Sequence, residues 1–362
     1  MEFGVQMIFQ SFGYGPEMTD AKVYDEEIRL AILADELGYD HLWPVEHHFE
    51  DYSFCPDNTV FLAHIAARTK RIKLGTGAVI IPWNDPLRVA EKMALLDLLS
   101  GGRALFGMGR GLARREYAPF KIDMDTSRAR FDEAAPMIIN ALETGVIEGS
   151  GKYYPQPRTE IRPRPGKSFK GRTYCVSMSP DSANMAGQLG VRQTMFTQGE
   201  WETSKAMVDV YRESYRKHHG ATPPPSFTCD FVFCSEDEAQ AKDDAAKYLT
   251  GYIASLMGHY ELAGEHFKNA KGYESYGAAV DILRQVGLED MTQGYLKGQI
   301  WGTPEQCIEK INARRAVIGD FDLNCCFRFA GMPFEVAERS MRLFGSKVIP
   351  AIHAQDKVKA AE

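Results

Sequence analysis

The chain has 362 residues, of which 44% are hydrophobic and 25% are charged, and its formal net charge at pH 7 is -7. This is the composition of an ordinary soluble globular protein, and the acidic balance argues against nucleic acid or an anionic membrane as a partner. The apolar runs are shorter than the roughly 20 residues of a membrane helix. The seven cysteines form no C-x-x-C pair, so we expect buried thiols in a reducing, cytoplasmic compartment.

Strand-like and helix-like segments alternate along the chain. Short apolar runs predict strands at residues 3–9, 41–43, 72–81, 103–108, 173–176, 193–197, 227–233 and 321–326. Helical spacing and capping signals predict helices at residues 20–37, 60–67, 86–99, 127–143, from 180 onward, and at 202–218, 237–256, 304–318 and 334–349. Each predicted strand is therefore followed by a helix.

This alternation predicts a parallel sheet with covering helices. Eight such units favour an α/β fold of the (β/α)8 TIM-barrel type over an open, doubly wound sheet, which more often stops at five or six strands. Stretches rich in glycine and proline or in glycine and tyrosine, at 145–171 and 258–300, indicate insertions after strands 4 and 7. We expect a single domain over residues 1–350 and a C-terminal tail over 351–362.

Functional side chains of such a barrel gather at the carboxyl ends of its strands. Glu46, His47 and His48 follow the second strand. A neutral imidazole at this place suits a general base, although two structural histidines bonded to the backbone would give the same pattern. A metal site made of these three residues is disfavoured, because adjacent residues rarely point at one ion and no other strand-end His or Asp completes the set.

Two further strand ends carry features that suit a phosphate. Arg110 follows the fourth strand between glycines, where its guanidinium can bind a phosphate or form a surface salt bridge. Ser179, Pro180 and Ser182 begin the helix after the fifth strand, and free amides at a helix N-terminus bind anions, although ordinary capping also explains these residues. Because both features lie at the same end of the barrel, they predict a phosphate-bearing cofactor.

Several of these strand ends together resemble the bacterial luciferase-like family of flavin-dependent monooxygenases, and most closely its luciferase alpha subunits. The motifs that carry the resemblance are 43–49 (WPVEHHF), 75–82 (GTGAVIIP), 85–91 (DPLRVAE), 109–112 (GRGL), 123–129 (DMDTSRA) and 302–307 (GTPEQC). The resemblance implies a loosely held FMN that a separate reductase delivers reduced. It also implies a flavin C4a-hydroperoxide that oxygenates a small organic substrate with O2.

The resemblance also assigns roles to residues. His47 aligns with the catalytic histidine of the family. The residues that align with flavin contacts are Glu46, Gly77, Ala78, Arg110, Leu112, Arg128, Val176, Ser179 and Ser182. Gly77 and Ala78 fall where the family has a non-proline cis peptide under the flavin ring. His48 aligns with a residue that meets Glu91 of the partner subunit, so we predict a dimer, expected to be a homodimer.

Two departures from the family pattern point to a substrate other than the luciferase aldehyde. Met178 stands where the alpha subunit has a glutamate near the phosphate, and Gly109 replaces a reactive cysteine beside the flavin. Residues 258–300 are similar to the family's mobile lid, although a surface insertion would give the same pattern. The alternatives are a deazaflavin (F420)-dependent oxidoreductase, a non-catalytic flavin-binding subunit of a luciferase-type heterodimer, and a metal-dependent hydrolase.

Overall fold

The computed structural model describes residues 1–361, except for the side chains of residues 279, 282, 283, 360 and 361. Its strands are, in chain order, β1 (Phe3–Met7), β2 (His41–Pro44), β3 (Lys73–Gly75), β4 (Val79–Ile80), β5 (Ala104–Gly109), β6 (Val146–Ser150), β7 (Pro155–Glu160), β8 (Thr173–Val176), β9 (Arg192–Phe196), β10 (Ser226–Cys234), β11 (Ile300–Gly302) and β12 (Phe321–Cys326).

The helices alternate with these strands, and most begin or end within two residues of their predicted bounds. They are α1 (Asp20–Leu37), α2 (Asn58–Ala66), α3 (Pro86–Leu99), α4 (Arg114–Tyr117), α5 (Ser127–Thr144), α6 (Pro180–Leu189), α7 (Trp201–His219), α8 (Glu238–Tyr260), α9 (Glu274–Gln285), α10 (Leu288–Gly298), α11 (Pro304–Ile318), α12 (Phe334–Leu343) and α13 (Ile349–Ala361). A π-helical turn over Phe344–Val348 joins α12 to α13.

Eight parallel strands close into a barrel, which confirms the predicted (β/α)8 fold. The strands pair in the order β10, β12, β1, β2, β3, β5, β8 and β9, and β9 pairs again with β10. Because all eight run in the same direction, their carboxyl ends open on one face of the barrel. The loops that follow β2, β5 and β8 therefore lie on that face.

Aromatic side chains fill the barrel interior below this face. Trp43, Tyr174 and Phe227 pack with ring centroids 4.7–5.5 Å apart. A Cβ on Gly75 would lie 2.4 Å from the ring of Trp43, so only glycine leaves room for the indole. The glycine at the end of the third strand thus allows tight packing inside the barrel.

Local sequence signals explain where the helices begin. The Asp85 side chain accepts a hydrogen bond from Arg88 N and Pro86 occupies the first position of α3, which is the favoured arrangement for a helix start. Gly38 ends α1 in the left-handed conformation, at φ 90°. All seven cysteines are buried free thiols, as expected.

Three segments differ from their predicted form. Residues 145–171, expected to lack regular structure, contain the antiparallel hairpin β6–β7. Residues 258–300, expected as an excursion, contain α9, α10 and β11, and β11 pairs with the outer part of β10. Residues 351–361, expected as a tail, lie in α13. Ile352 is fully buried and Asp356 binds the amino group of Met1 at 2.8 Å, so tertiary contacts hold this helix against the barrel.

Residue 362 lies outside the described residues. Within residues 1–361, none of the helices combines the length and the apolar character needed to cross a membrane.

Candidate active site

A cavity of about 230 Å³ opens at the carboxyl ends of the barrel strands. All of the predicted catalytic and cofactor residues except Arg128 line it, and these are Glu46, His47, Gly77, Ala78, Arg110, Leu112, Val176, Ser179 and Ser182. They come from the loops after β2, β3, β5 and β8, which are far apart in the sequence. Closure of the barrel is what brings them around one space.

His47 is held by hydrogen bonds on both ring nitrogens. Its Nδ1 lies 3.0 Å from Oε1 of Glu116, and its Nε2 lies 3.2 Å from the hydroxyl of Tyr260. Burial by itself would raise the pKa of Glu116, but the charges of His47 and His259 and the hydrogen bonds it accepts hold that pKa below its usual value. The ionised Glu116 accepts a hydrogen bond from the N–H group at Nδ1 of His47. The lone pair of the imidazole ring therefore lies on Nε2.

Burial raises the pKa of Tyr260 well above its usual value, so its hydroxyl stays protonated. The hydroxyl therefore donates to Nε2 of His47. Glu116, His47 and Tyr260 thus form a continuous acid–base chain that reaches the cavity from the side of α4 and α8.

His259 lies beside this chain and is buried. It stacks on Tyr52 with ring centroids 4.4 Å apart, and its Nε2 is 3.7 Å from Oε1 of Glu116. Burial lowers the pKa of His259 to about 3, with a further contribution from His47, so the ring is neutral at physiological pH. Neither of its nitrogens has a hydrogen-bond partner among the described residues.

The sequence disfavoured a metal site at His47, because no other strand-end His or Asp completes a ligand set, and the structure adds a second possibility from helices α4 and α8. Donor atoms of His47, Glu116 and His259 all lie within 4.8 Å of one another, which is close enough to hold a metal ion. Glu46 and His48, the ligands weighed from the sequence, are not part of this group. The hydrogen bond that Glu116 accepts from Nδ1 of His47 is that of an acid–base pair, and we interpret the group in this way.

Glu46 is a buried carboxylate whose oxygens accept several hydrogen bonds. It accepts hydrogen bonds from Ile80 N at 3.0 Å, from Trp83 Nε1 at 2.7 Å and from Asn84 Nδ2 at 3.0 Å. These bonds fix the segment after β4 against the loop after β2. Glu46 therefore shapes the cavity wall and is not free to act as a base.

The peptide bond between Gly77 and Ala78 is cis, as the family resemblance implied. Asn58 donates from Nδ2 to the carbonyl of Ala78 at 3.1 Å, and Gly77 N donates to the carbonyl of Pro44 at 2.9 Å. The two residues form a flat part of the cavity wall between β3 and β4.

The start of α6 and the loop after β5 bring polar side chains to another part of the cavity lining. Ser179 caps α6, Ser182 completes the capping box, and their hydroxyls lie 3.0 Å apart. Arg110 donates from Nη2 to the carbonyl of Gly272 at 2.6 Å, and its guanidinium lies 4.1 Å from the ring centroid of Tyr273. Nη1 of Arg110 is buried beside Gly272 and has no hydrogen-bond partner among the described residues.

Arg128 begins α5 near this part of the cavity, although it does not line it. A Cβ on Gly272 would lie 2.5 Å from Nη1 of Arg110 and 3.4 Å from Cβ of Arg128, so both arginines pack against Gly272. Nη2 of Arg128 is 3.7 Å from the exposed carboxylate of Asp181. Met178, the departure from the family pattern, accepts a hydrogen bond from Phe196 N at its sulfur.

Within one chain, His48 and Glu91 do not meet. His48 is buried, with Nε2 3.4 Å from Oε1 of Glu46 and its ring packed edge-on against Phe120. Glu91 lies on the surface of α3 and pairs with Arg88 at 3.0 Å.

Sequence reasoning missed Glu116, His259 and Tyr260. Glu116 lies in the one-turn helix α4, which the hydrophobic pattern did not indicate. His259 and Tyr260 lie at the end of α8, up to four residues beyond the stretch that was expected to be helical. The signal that could have drawn attention to Glu116 is the charged cluster Arg114-Arg115-Glu116-Tyr117, which follows the end of β5.

Comparisons with known proteins agree with this arrangement. The profile of the luciferase-like monooxygenase family matches residues 1–320. The alkanal monooxygenase alpha chain of Photorhabdus luminescens is 25% identical in an alignment 369 positions long. The alignment covers 94% of this chain and 96% of that one. The crystal structure of the monooxygenase RslO1 from Streptomyces bottropensis is 30% identical, with a TM-score of 0.76 over 97% of this chain and 100% of that one.

The oxygenating constituent of 3,6-diketocamphane monooxygenase from Pseudomonas putida, solved in complex with FMN, shares the fold. Its TM-score is 0.75 at 20% identity, over 97% of this chain and 98% of that one. The family profile spans most of the chain, and the site residues converge in one cavity. The chain therefore belongs to the luciferase-like monooxygenase family and is a flavin-dependent monooxygenase.

Proposed function

We propose that this chain is the oxygenase component of a two-component system. It takes reduced FMN from a separate reductase, forms a flavin C4a-hydroperoxide with O2, and transfers one oxygen atom to a small organic substrate such as an aldehyde or a ketone. Reduced FMN, O2 and substrate thus become oxidised FMN, water and an oxygenated product. The observation that carries the proposal is that Glu116, His47, Tyr260 and Arg110 line the same cavity, and that the first three are joined by hydrogen bonds.

The cavity residues fit FMN at both of its ends. Arg110, Ser179 and Ser182 supply a guanidinium N–H and a helix N-terminus for the phosphate, with Arg128 alongside. Apolar and backbone surface at Gly77–Ala78, Leu112 and Val176 suits the flat ring system. The diketocamphane oxygenase, which shares this fold, was solved with FMN, and this supports FMN as the cofactor here.

His47 is the proposed acid–base residue. Reduced flavin supplies the electrons, and the protein must move protons at the place where oxygen reacts. With Nδ1 held by Glu116, His47 accepts at Nε2 the hydroxyl proton of Tyr260, while the Tyr260 oxygen takes up a proton from the reacting group. Glu116 orients the ring, and the aromatic residues around it exclude water.

We also propose that two copies of the chain associate through α2 and α3. Val60 on α2 and Leu95, Leu98 and Leu99 on α3 are exposed hydrophobic side chains on neighbouring helices. A patch of this kind marks an interface. Glu91 lies on the same helix and pairs, in this proposal, with His48 of the partner subunit.

The test is stopped-flow mixing of the protein and anaerobic reduced FMN with oxygenated buffer. We expect a transient C4a-hydroperoxide spectrum that is lost or shortened in His47→Ala. Removal of a positioned general base slows turnover by about 10²- to 10⁴-fold and leaves the Kd of FMN nearly unchanged. His218→Ala, on the exposed side of α7, is the matched control.

If turnover is unchanged in His47→Ala, the catalytic role of this residue is wrong. If the flavin oxidises as it does without protein, the hydroperoxide proposal fails. A titration with deazaflavin F420 then decides between a deazaflavin-dependent oxidoreductase and a non-catalytic flavin-binding subunit.

A further inference from the structure

Part of the cavity is lined by aromatic side chains, which we call the aromatic wall. Its members are Tyr52, Phe231, Tyr252, Tyr260, Tyr276 and Tyr295, and all of them line the cavity. Ring centroids are 5.2 Å apart between His47 and Tyr52, 5.9 Å between Tyr52 and Tyr252, and 4.1 Å between Tyr252 and Phe231. The wall thus begins at the proposed acid–base residue and extends well beyond the width of one benzene ring.

Apart from Arg110, which the proposed function assigns to the flavin phosphate, the described charged residues at the aromatic wall are paired. Asp230 lies at its edge, but Arg314 binds both carboxylate oxygens, at 2.7 and 2.5 Å. Glu116 is paired with His47. Burial raises the pKa of Tyr276 to about 12 and also raises that of Tyr295, so both phenols are neutral. A charged group placed against this wall would lose its water and find no counterion.

The hydroxyls of the wall fall into two groups. Those of Tyr52 and Tyr252 bind each other at 2.9 Å, and that of Tyr260 binds His47. Tyr276 and Tyr295 also line the cavity, and the hydroxyl of neither takes part in a hydrogen bond with another described residue. These two phenols are therefore ready to bind oxygen atoms of a ligand.

Resting on the proposed function, we propose that the substrate is a flat, uncharged, fused aromatic ring system that carries hydroxyl or carbonyl oxygens. Its faces pack on the rings of the wall in offset or edge-to-face arrangements. Its oxygens bind the hydroxyls of Tyr276 and Tyr295. A straight alkyl chain would cover these two hydroxyls without pairing them, and an unpaired buried hydroxyl weakens binding.

The experiment compares 1-hydroxyanthraquinone with decanal as ligands of the full-length protein saturated with oxidised FMN. Isothermal titration calorimetry measures both dissociation constants. We expect the anthraquinone to bind at least about 10-fold more tightly than decanal, because it pairs the two free hydroxyls. A Kd for decanal that is equal or lower would overturn the assignment.

The double variant Tyr276→Phe with Tyr295→Phe keeps the rings and removes only the hydroxyls. We expect it to raise the Kd of the anthraquinone by about 10-fold and to change that of decanal by less than about 2-fold. Tyr215→Phe, on α7 outside the barrel, is the matched control and should change neither constant. An unchanged anthraquinone Kd in the double variant would show that the two phenols do not recognise the ligand.

Stopped-flow formation of the hydroperoxide without substrate separates this inference from the proposed function. If the hydroperoxide forms and decanal binds more tightly, the oxygenase function stands and the aromatic class is wrong. If no hydroperoxide forms, the proposed function fails, and the assignment of the ring system as substrate fails with it. Hydroperoxide formation together with hydroxylated or ring-oxygenated anthraquinone in the products supports both.

Discussion

Glu116 is the residue on which the chemistry of the site converges. Its Oε1 lies 3.0 Å from Nδ1 of His47 and accepts a hydrogen bond from His48 N at 2.8 Å, while His259 stacks over the same region at 3.7 Å from this oxygen. One carboxylate oxygen therefore orients the proposed base and also holds the backbone that carries it. A replacement that cannot accept both bonds would leave buried donors unpaired.

Arg110 should determine how tightly the flavin phosphate is held. We expect Arg110→Ala to raise the Kd of FMN by about 10- to 100-fold, because it removes a hydrogen bond to a charged group in a buried place. Fluorescence titration with FMN measures this. Arg164→Ala, which removes an exposed arginine paired with Glu160, is the control. An unchanged Kd in Arg110→Ala would remove this residue from the site.

His259 should make the protein sensitive to acid. Its pKa is lowered from 6.5 to about 3 in the fold, so below pH 6.5 the unfolded chain binds a proton that the folded chain does not. Stability is therefore complete above pH 6.5 and falls as the pH falls towards 3.

We expect the wild type to lose about 2 kcal/mol more unfolding free energy than His259→Phe between pH 7.5 and pH 5. Phenylalanine keeps the stacking on Tyr52. Urea unfolding at the two pH values measures the difference. Equal losses in the two proteins would show that His259 is protonated in the fold.

At the scale of elements, α6 and α11 begin in the same way but face different surroundings. Ser179 with Ser182 and Thr303 with Gln306 each form a capping box, followed in both cases by a proline at the first helical position. Only the start of α6 lies at the cavity. The sequence pattern is the same, so the position in the barrel alone distinguishes a structural cap from a proposed phosphate site.

This pair provides a matched test. We expect Ser179→Ala and Thr303→Ala each to lower the unfolding free energy by about 1 kcal/mol, because each removes an N-cap hydrogen bond. Only Ser179→Ala should also raise the Kd of FMN, by several-fold. Chemical unfolding and flavin titration of both variants give the two readouts. A similar Kd for FMN in the two variants would mean that Ser179 acts as a cap and nothing more.

Regular elements were well predicted because their signals are local. All eight barrel strands and the bounds of α1, α3 and α11 follow from apolar periodicity, capping residues and glycine or proline stops. The hairpin β6–β7 was missed because prolines and glycines at 145–171 hid its short strands. The C-terminal helix α13 was missed because contacts such as the ion pair of Asp356 with the N-terminus hold it, and these are not visible in a local pattern.

At the scale of the whole molecule, the exposed apolar face of α3 supports the proposed interface with a second copy of the chain. Leu95, Leu98 and Leu99 are spaced to share one face of the helix, and Leu98 is 64% exposed. We expect Leu98→Glu to convert a dimer into a monomer, measured by size-exclusion chromatography with light scattering.

Leu288→Glu is the control for this prediction, since Leu288 is an exposed leucine on α10, away from α2 and α3. A wild-type protein that runs as a monomer, or a Leu98→Glu variant that remains dimeric, would contradict the proposed interface.

The sequence by itself determined the barrel, the order of its elements and the family, because periodicity, caps and motifs are short-range signals. It also indicated part of the cavity lining, since the carboxyl ends of parallel strands must share one face. Only the tertiary structure decided the partners of His47. Glu116 is 69 residues away and Tyr260 is 213 residues away, and both come from helix segments without a motif. Barrel closure brings these side chains together, and no local sequence pattern encodes a contact between residues so far apart in the chain.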